Sequence, residues 1–169
     1  AIVDGKNKDI TDVLENDASV EFITSDTTEG LHAIRHTAAH VMAQAIQHLF
    51  PGTKFAIGPA IANGFYYDLD SEHVFTPEDL AAIEKEMAKI VKANIPLVRN
   101  ELPRAEALSM FAKMEEPYKV ELINDLPEDA IISIYQQGDF LDLCAGPHCP
   151  TTGRVKAFKL QSIAGAYWR

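Results

Sequence analysis

Basic residues are scarce in this chain: 15 Lys and Arg stand against 25 Asp and Glu, a formal net charge of −10. Phosphate backbones are bound through Lys and Arg with release of counterions, so the deficit excludes broad, sequence-blind binding to nucleic acid. Cysteine is scarcer still. Cys144 and Cys149, the two in 169 residues, make no disulfide framework, and free thiols suit a reducing compartment, the cytoplasm. No apolar run approaches the roughly 20 residues of a membrane span. The opening AIVDGKNKDI has neither the basic nor the apolar region of a secretory signal, so the expectation is a chain neither inserted nor secreted. A phosphate-cradling GxxxxGK motif, a GxGxxG loop and a GxSxG nucleophile elbow are all missing, which removes nucleotide hydrolysis and a Ser-His-Asp triad from consideration. At this length about two-thirds of the unfolded surface can be buried, so stability demands no metal staple.

What charge there is lies unevenly. Residues 1–30 carry eight acids and two Lys, whereas Leu143 to Arg169 carries no acid and holds Arg154, Lys156, Lys159 and Arg169. A positive field confined to that stretch permits a narrow polyanion contact.

Periodicity and punctuation predict the elements. Residues 1–24 read as short strands and turns around Asp4-Gly5, with Val20, Phe22 and Thr24 alternating along a strand; alone this is too small to fold. A helix starts at an N-cap within Ser25 to Thr28 and runs to about Phe50, where Pro51 and Gly52 stop it, with Leu31, Ile34, Ala38, Val41, Ala45 and Leu49 on one stripe. Lys54 to Ile57 and Gly64 to Leu69 suggest a hairpin with GPAIANG as its loop. Thr76 as N-cap, Pro77 at the first helical position and Glu78 and Asp79 in the first turn start a second helix. Leu97 to Leu102 looks extended, 104–114 and 118–124 helical, and 131–136, 140–143 and 155–163 extended. Strands and helices mix without regular alternation, which favours an α+β fold with helices packed on antiparallel sheet.

Two clusters carry the chemistry. His36 and His40, in HTAAH, leave the same helix face one turn apart, and His32 could add a third ring. The second cluster is DLCAGPHCP: with Leu141 and Leu143 pointing inward, Asp142 and Cys144 point the other way, and Gly146-Pro147 turns His148 back beside Cys144. Three imidazoles and a thiol of this kind bind zinc or, without metal, order and polarise a water. The sequence leaves both open. Lys119, Tyr67 and Asp142 are further candidates, each with an ordinary alternative: a solvated lysine, a core aromatic, a buried hydrogen-bonded carboxylate.

With those residues in view, the chain resembles the editing region of bacterial-type threonyl-tRNA synthetases, related in outline to alanyl-tRNA synthetase editing domains. The resemblance runs through RHTAAHVMAQAIQHLFP, FAIGPAIANGFYYDLD, PYKVEL, DLCAGPHCPTTG and FKLQSIAGAYWR, nearly everything after Gly30. The ending AGAYWR is similar to the hinge before a threonyl aminoacylation domain and favours that branch. Residues 1–28 are similar to the end of the ubiquitin-like TGS domain, leaving 29–169 as the editing domain. Ala145 and Cys149 depart from the family pattern, which makes Cys149 a competing ligand.

The resemblance implies hydrolytic proofreading: water attack on serine esterified to the CCA end of threonine tRNA. No segment resembles the class II aminoacylation motifs, so threonine activation and ATP use fall to the rest of the parent synthetase, expected to be a homodimer. By the same resemblance, His36 and Lys119 position and polarise water and ester. His40 and His148 orient water and substrate, Cys144 meets the serine side chain, Asp142 the α-amine, and Tyr67 lines the pocket. No cofactor is required on this reading, while zinc on His36, His40, Cys144 and His148, as in the alanyl relatives, is the other expectation. The competing functions are a non-catalytic RNA-binding module with a structural zinc, and an alanyl-type editor clearing serine from alanine tRNA. Substitution of Lys119 is expected to separate enzyme from module.

Overall fold

The computed structural model of the chain describes residues 1–165, 167 and 168. Arg169, counted in the basic stretch, and the Ala166 of AGAYWR lie outside the described residues.

The chain opens with three short strands, β1 (Ile2–Val3), β2 (Lys6–Asn7) and β3 (Val20–Glu21), in the order β2-β1-β3. Asp4 and Gly5 turn β1 into β2 with φ of 48° and 78°, the two positive values a two-residue hairpin turn requires. β3 is shorter than the alternation of Val20, Phe22 and Thr24 suggests, and Phe22 is exposed, so no buried face rewards further pairing.

α1 (Thr28–Leu49) is the central helix. The Thr27 side chain accepts from the Gly30 N–H, satisfying one of the orphan donors of its first turn. Ala38, Ala39, Val41, Ala43, Ala45 and Ile46 are buried around much of its circumference, and these small residues let neighbouring elements approach closely. The expected hairpin follows in two parts: β4 (Lys54–Phe55) pairs with β7 (Leu69–Asp70), and at its tip β5 (Ala60–Ile61) pairs with β6 (Gly64–Phe65). Part of the anticipated GPAIANG loop is therefore strand. α2 (Pro77–Ala93) starts at Thr76 with a capping box closed by Asp79 and packs against α1 through Ile83, Met87 and Ile90.

β8 (Leu97–Leu102), β9 (Ile132–Gln137) and β10 (Phe140–Leu143) form an antiparallel sheet in the order β10-β9-β8, with Asp142 opposite Tyr135 and Leu143 opposite Ile134. α3 (Arg104–Lys113) and α4 (Pro117–Asp125) connect β8 to β9. Ile132, Ile134, Leu141 and Leu143 pack with Ala107, Phe111 and Ile123 of these two helices. The alternate residues, Phe140 and Asp142, are buried on the other side, where β10 meets α1. Both faces of β9 and β10 are covered, and Asp142 ends in an interior rather than on a solvated face.

The strand expected over 155–163 is not formed. After a 3₁₀ turn at Thr152–Arg154 the chain runs across α2, the Leu160 N–H donating to Glu84 Oε1 and Lys159 Nζ pairing with Glu84 Oε2, while Phe158 and Leu160 pack on the core. Its apolar alternation is satisfied by a helix surface, so no ladder is needed. No helix among the described residues is long and apolar enough to cross a membrane.

Candidate functional site

α1 and the loop after β10 bring His36, His40, Cys144 and His148 together, one ligand atom of each within 4.8 Å of the others. The helix supplies two rings one turn apart, their centroids separated by 5.3 Å. His148 stacks on His36 at 4.0 Å and lies 4.1 Å from His40. It takes the place sequence spacing offered to His32, whose ring stands 6.0 Å from His36 outside the group. The loop reaches back because Gly146 adopts a φ of +74° and passes the Tyr135 hydroxyl so closely that a Cβ would meet Oη at 2.1 Å. Cys149, free like Cys144, is buried outside the cluster.

Hydrogen-bond partners assign the tautomers. His36 Nδ1 is 3.3 Å from the Pro147 carbonyl, which only accepts, so Nδ1 carries the proton. The Thr37 hydroxyl spends its proton on the Ala33 carbonyl at 2.8 Å and accepts from the Cys149 N–H. It must therefore also accept from His148 Nδ1 at 3.2 Å. His40 Nε2 lies 3.2 Å from Asp142 Oδ2 and donates to it. Three lone pairs result: Nε2 of His36 and of His148, each 3.3 Å from Cys144 Sγ, and Nδ1 of His40, which is buried without a partner among the described residues. One thiol proton can serve only one of them.

Burial keeps the group uncharged. It lowers the pKa of His36, takes His40 down to about 3 against the pull of Asp142, and holds His148 well below the ordinary imidazole value, helped by the neighbouring rings. It also pushes the Cys144 thiol up to about 12, with the charge of Asp142 adding to the shift and the Gly146 N–H opposing it. The cluster is thus rich in acceptors and poor in donors, a set whose chemistry suits a water, a protonated amine or a cation.

Behind His40 sits a buried charge network. Lys119 on α4 and Asp142 on β10 form an ion pair at 2.5 Å. Lys119 Nζ also donates to the Ala56 carbonyl at 2.7 Å and the Tyr67 hydroxyl at 3.0 Å, and Tyr67 donates in turn to Asp142 Oδ2. Burial alone would raise the Asp142 pKa; the charge of Lys119 and the hydrogen bonds from Lys119 and Tyr67 outweigh it and lower the value. Tyr67, buried and beside that carboxylate, is held well above the ordinary phenol value and stays a donor. Asp142 Oδ2 meets Tyr67 and His40 while Oδ1 faces the Lys119 ammonium as an ion pair, and His40 is the member of the cluster that touches this network.

The donor set also fits a metal ion. His36, His40, Cys144 and His148 could hold one, since each imidazole spends its other nitrogen on a carbonyl, a carboxylate or a hydroxyl, the outer-shell arrangement of metal-binding histidines. The buried His40 Nδ1, without a hydrogen-bond partner among the described residues, is a lone pair such an ion would take up.

Known proteins place this arrangement. A family model of the threonyl and alanyl tRNA synthetase second additional domain matches residues 132–166, spanning β9, β10 and the Cys144–His148 loop. Over all 169 residues the chain is 57% identical to threonine–tRNA ligase of Syntrophomonas wolfei and 59% identical to that of Clostridium kluyveri. Over its whole length the chain is similar to a segment of threonyl-tRNA synthetases. It spans only about a quarter of those relatives, covering 27% and 26% of their lengths. The seven residues that the family resemblance nominated fall into two connected groups, four in the His/Cys cluster and Tyr67, Lys119 and Asp142 behind it. Thr37, the Pro147 carbonyl and Tyr135 were not legible as site residues, because a buried threonine on a helix, a loop carbonyl and a strand aromatic carry no motif of their own.

Proposed function

We propose that this chain is the hydrolytic editing domain of a threonyl-tRNA synthetase and removes serine esterified to threonine tRNA. The observation that carries the reading is the acceptor-rich cluster: three neutral imidazoles and a thiol, with at least two lone pairs left for a water or an amine. A threonine-binding pocket excludes serine poorly, because one methyl is worth only about 1–3 kcal/mol, so a second, size-selective hydrolytic site is required.

In the proposed step a water held by His36 and His148 attacks the ester carbonyl. A neutral imidazole takes its proton, the carbon–oxygen bond to the ribose breaks, and the proton passes to the leaving oxygen. Serine and deacylated tRNA are the products. Cys144 meets the serine side chain, and the field of Asp142, transmitted by His40, favours the substrate ammonium. Lys119 and Tyr67 hold Asp142 so that His40 keeps one tautomer. A bound metal ion at the four ligands would supply Lewis acidity to the same water.

Residues 1–28 are assigned to the end of a TGS-like domain and 29–169 to editing. The remainder of the synthetase supplies aminoacylation, ATP use and most of the tRNA affinity, as a cytoplasmic homodimer. The test is release of serine from seryl- and threonyl-charged threonine tRNA by the chain, with and without chelator, beside His36→Ala. Loss of serine only, insensitive to chelator and absent in the variant, is expected. No hydrolysis at high protein together with one tightly held zinc would overturn the reading for a structural metal module, and serine release from alanine tRNA alone would turn it to an alanyl-type editor.

A further inference from the structure

The cavity loop is tied to a residue far from it in sequence. Asp9, just after β2, sends its carboxylate under the turn: the Tyr135 hydroxyl donates to Oδ2 at 2.5 Å, and the His148 backbone N–H donates to Oδ1 at 3.3 Å. Asp9 is fixed by its own turn, its N–H donating to Asp12 Oδ2 at 3.2 Å and its carbonyl accepting from the Asp12 N–H at 3.1 Å. Tyr135, 1% exposed, stands edge-on to the His148 ring at 4.5 Å, and its hydroxyl fills the space where a side chain at Gly146 would sit. One carboxylate therefore sets the phenol that supports Gly146 and the His148 ring, and holds the His148 backbone directly.

We propose that Asp9 is a positioning residue for the editing site: the N-terminal segment clamps the Cys144–His148 loop, through Tyr135, in the geometry that presents His148 Nε2 and Cys144 Sγ to the rest of the His/Cys cluster. The site is then complete only when the small sheet of β1–β3 is docked, which couples the segment before residue 28 to the chemistry. The catalytic half of this inference rests on the editing reading; the structural half does not.

The test uses the 169-residue chain with Asp9→Ala, Asp9→Asn and Tyr135→Phe, and reads two quantities. The first is the alkylation rate of Cys144 by iodoacetamide, resolved from Cys149 by peptide mass mapping. The second is kcat and KM for serine release from seryl-charged threonine tRNA. Asp9→Ala and Tyr135→Phe are expected to raise the Cys144 rate several-fold and lower kcat about 10- to 100-fold with KM within about twofold, as for a misplaced catalytic group. Asp9→Asn, which keeps an acceptor for the His148 amide, falls between, and the double variant Asp9→Ala/Tyr135→Phe is no worse than the weaker single, because both break one chain of contacts. If Asp9→Ala does not fold, the other two variants carry the test. Folded variants with an unchanged Cys144 rate overturn the clamp, whatever happens to kcat. A changed Cys144 rate in a chain whose wild type releases no serine keeps the clamp and sinks the editing reading.

Discussion

Lys119 is the residue whose replacement the structure makes most informative, and for a reason its sequence context hides. Lys119 and Asp142 are each 3% exposed and 2.5 Å apart. Lys119→Met keeps most of the stem volume and removes the charge, leaving Asp142 with Tyr67 and His40 as its side-chain partners among the described residues. Breaking one side of a buried ion pair costs about 3–5 kcal/mol, a large share of the ~5–15 kcal/mol typical of a domain. Lys119→Met/Asp142→Asn removes the stranded charge, so the two losses should fall short of additivity by about 1–3 kcal/mol. Urea unfolding followed by far-UV circular dichroism at pH 7 measures both, with an unchanged m-value as the check on two-state behaviour. A Lys119→Met loss under about 1 kcal/mol, the range of exposed pairs, or a strictly additive cycle, would refute the buried-pair argument. Lost hydrolysis in a Lys119 variant consequently does not separate enzyme from structural module. His36→Ala does so better, because His36 is partly exposed and contacts only a carbonyl, a thiol and neighbouring rings.

Three further outcomes follow from named contacts. Gly58→Ala places a Cβ 2.2 Å from the Tyr67 ring; it should shift that ring off Asp142, destabilise by about 1–3 kcal/mol as overpacking does, and slow serine release, all absent if the hairpin simply yields. For His48, burial lowers the pKa, but hydrogen bonds to Glu86 and Asp139 outweigh it and the net shift is upward. Its contribution is therefore full below the unfolded value near 6.5 and lost as pH rises through the raised folded value; the stability difference between wild type and His48→Gln should be larger at pH 5.5 than at pH 8.5, and a pH-independent difference would contradict this. Thr37→Val deletes the acceptor of His148 Nδ1 and Cys149 N–H; with two buried donors stranded it should cost about 1–3 kcal/mol for each and alter the His148 tautomer signal in ¹⁵N NMR, whereas an unchanged tautomer would show that Thr37 does not set it.

Much of this molecule is written locally. Thr76, Pro77 and Asp79 specify the start of α2 through groups within one helical turn, and HTAAH fixes the relative placement of two imidazoles because 3.6 residues per turn leaves no other choice. The same holds for the Asp4-Gly5 turn, whose positive φ values those residues tolerate. The 155–163 segment shows the limit: its alternation promised a strand, but a ladder needs a partner edge, and α2 took the segment instead.

The site divides along the same line. The amino-acid sequence by itself determined which side chains carry chemistry and, through family resemblance, grouped His36, His40, Cys144 and His148. Only the tertiary structure decided their states, because tautomers and charge depend on partners contributed by distant segments: the Pro147 carbonyl for His36, Thr37 for His148, Asp142 for His40. It likewise paired Lys119 with Asp142 as a buried counter-charge, and brought Asp9 across 139 residues to the His148 backbone. Periodicity reports which face of an element is covered. What covers it, and with which hydrogen bonds, is settled only when the elements pack.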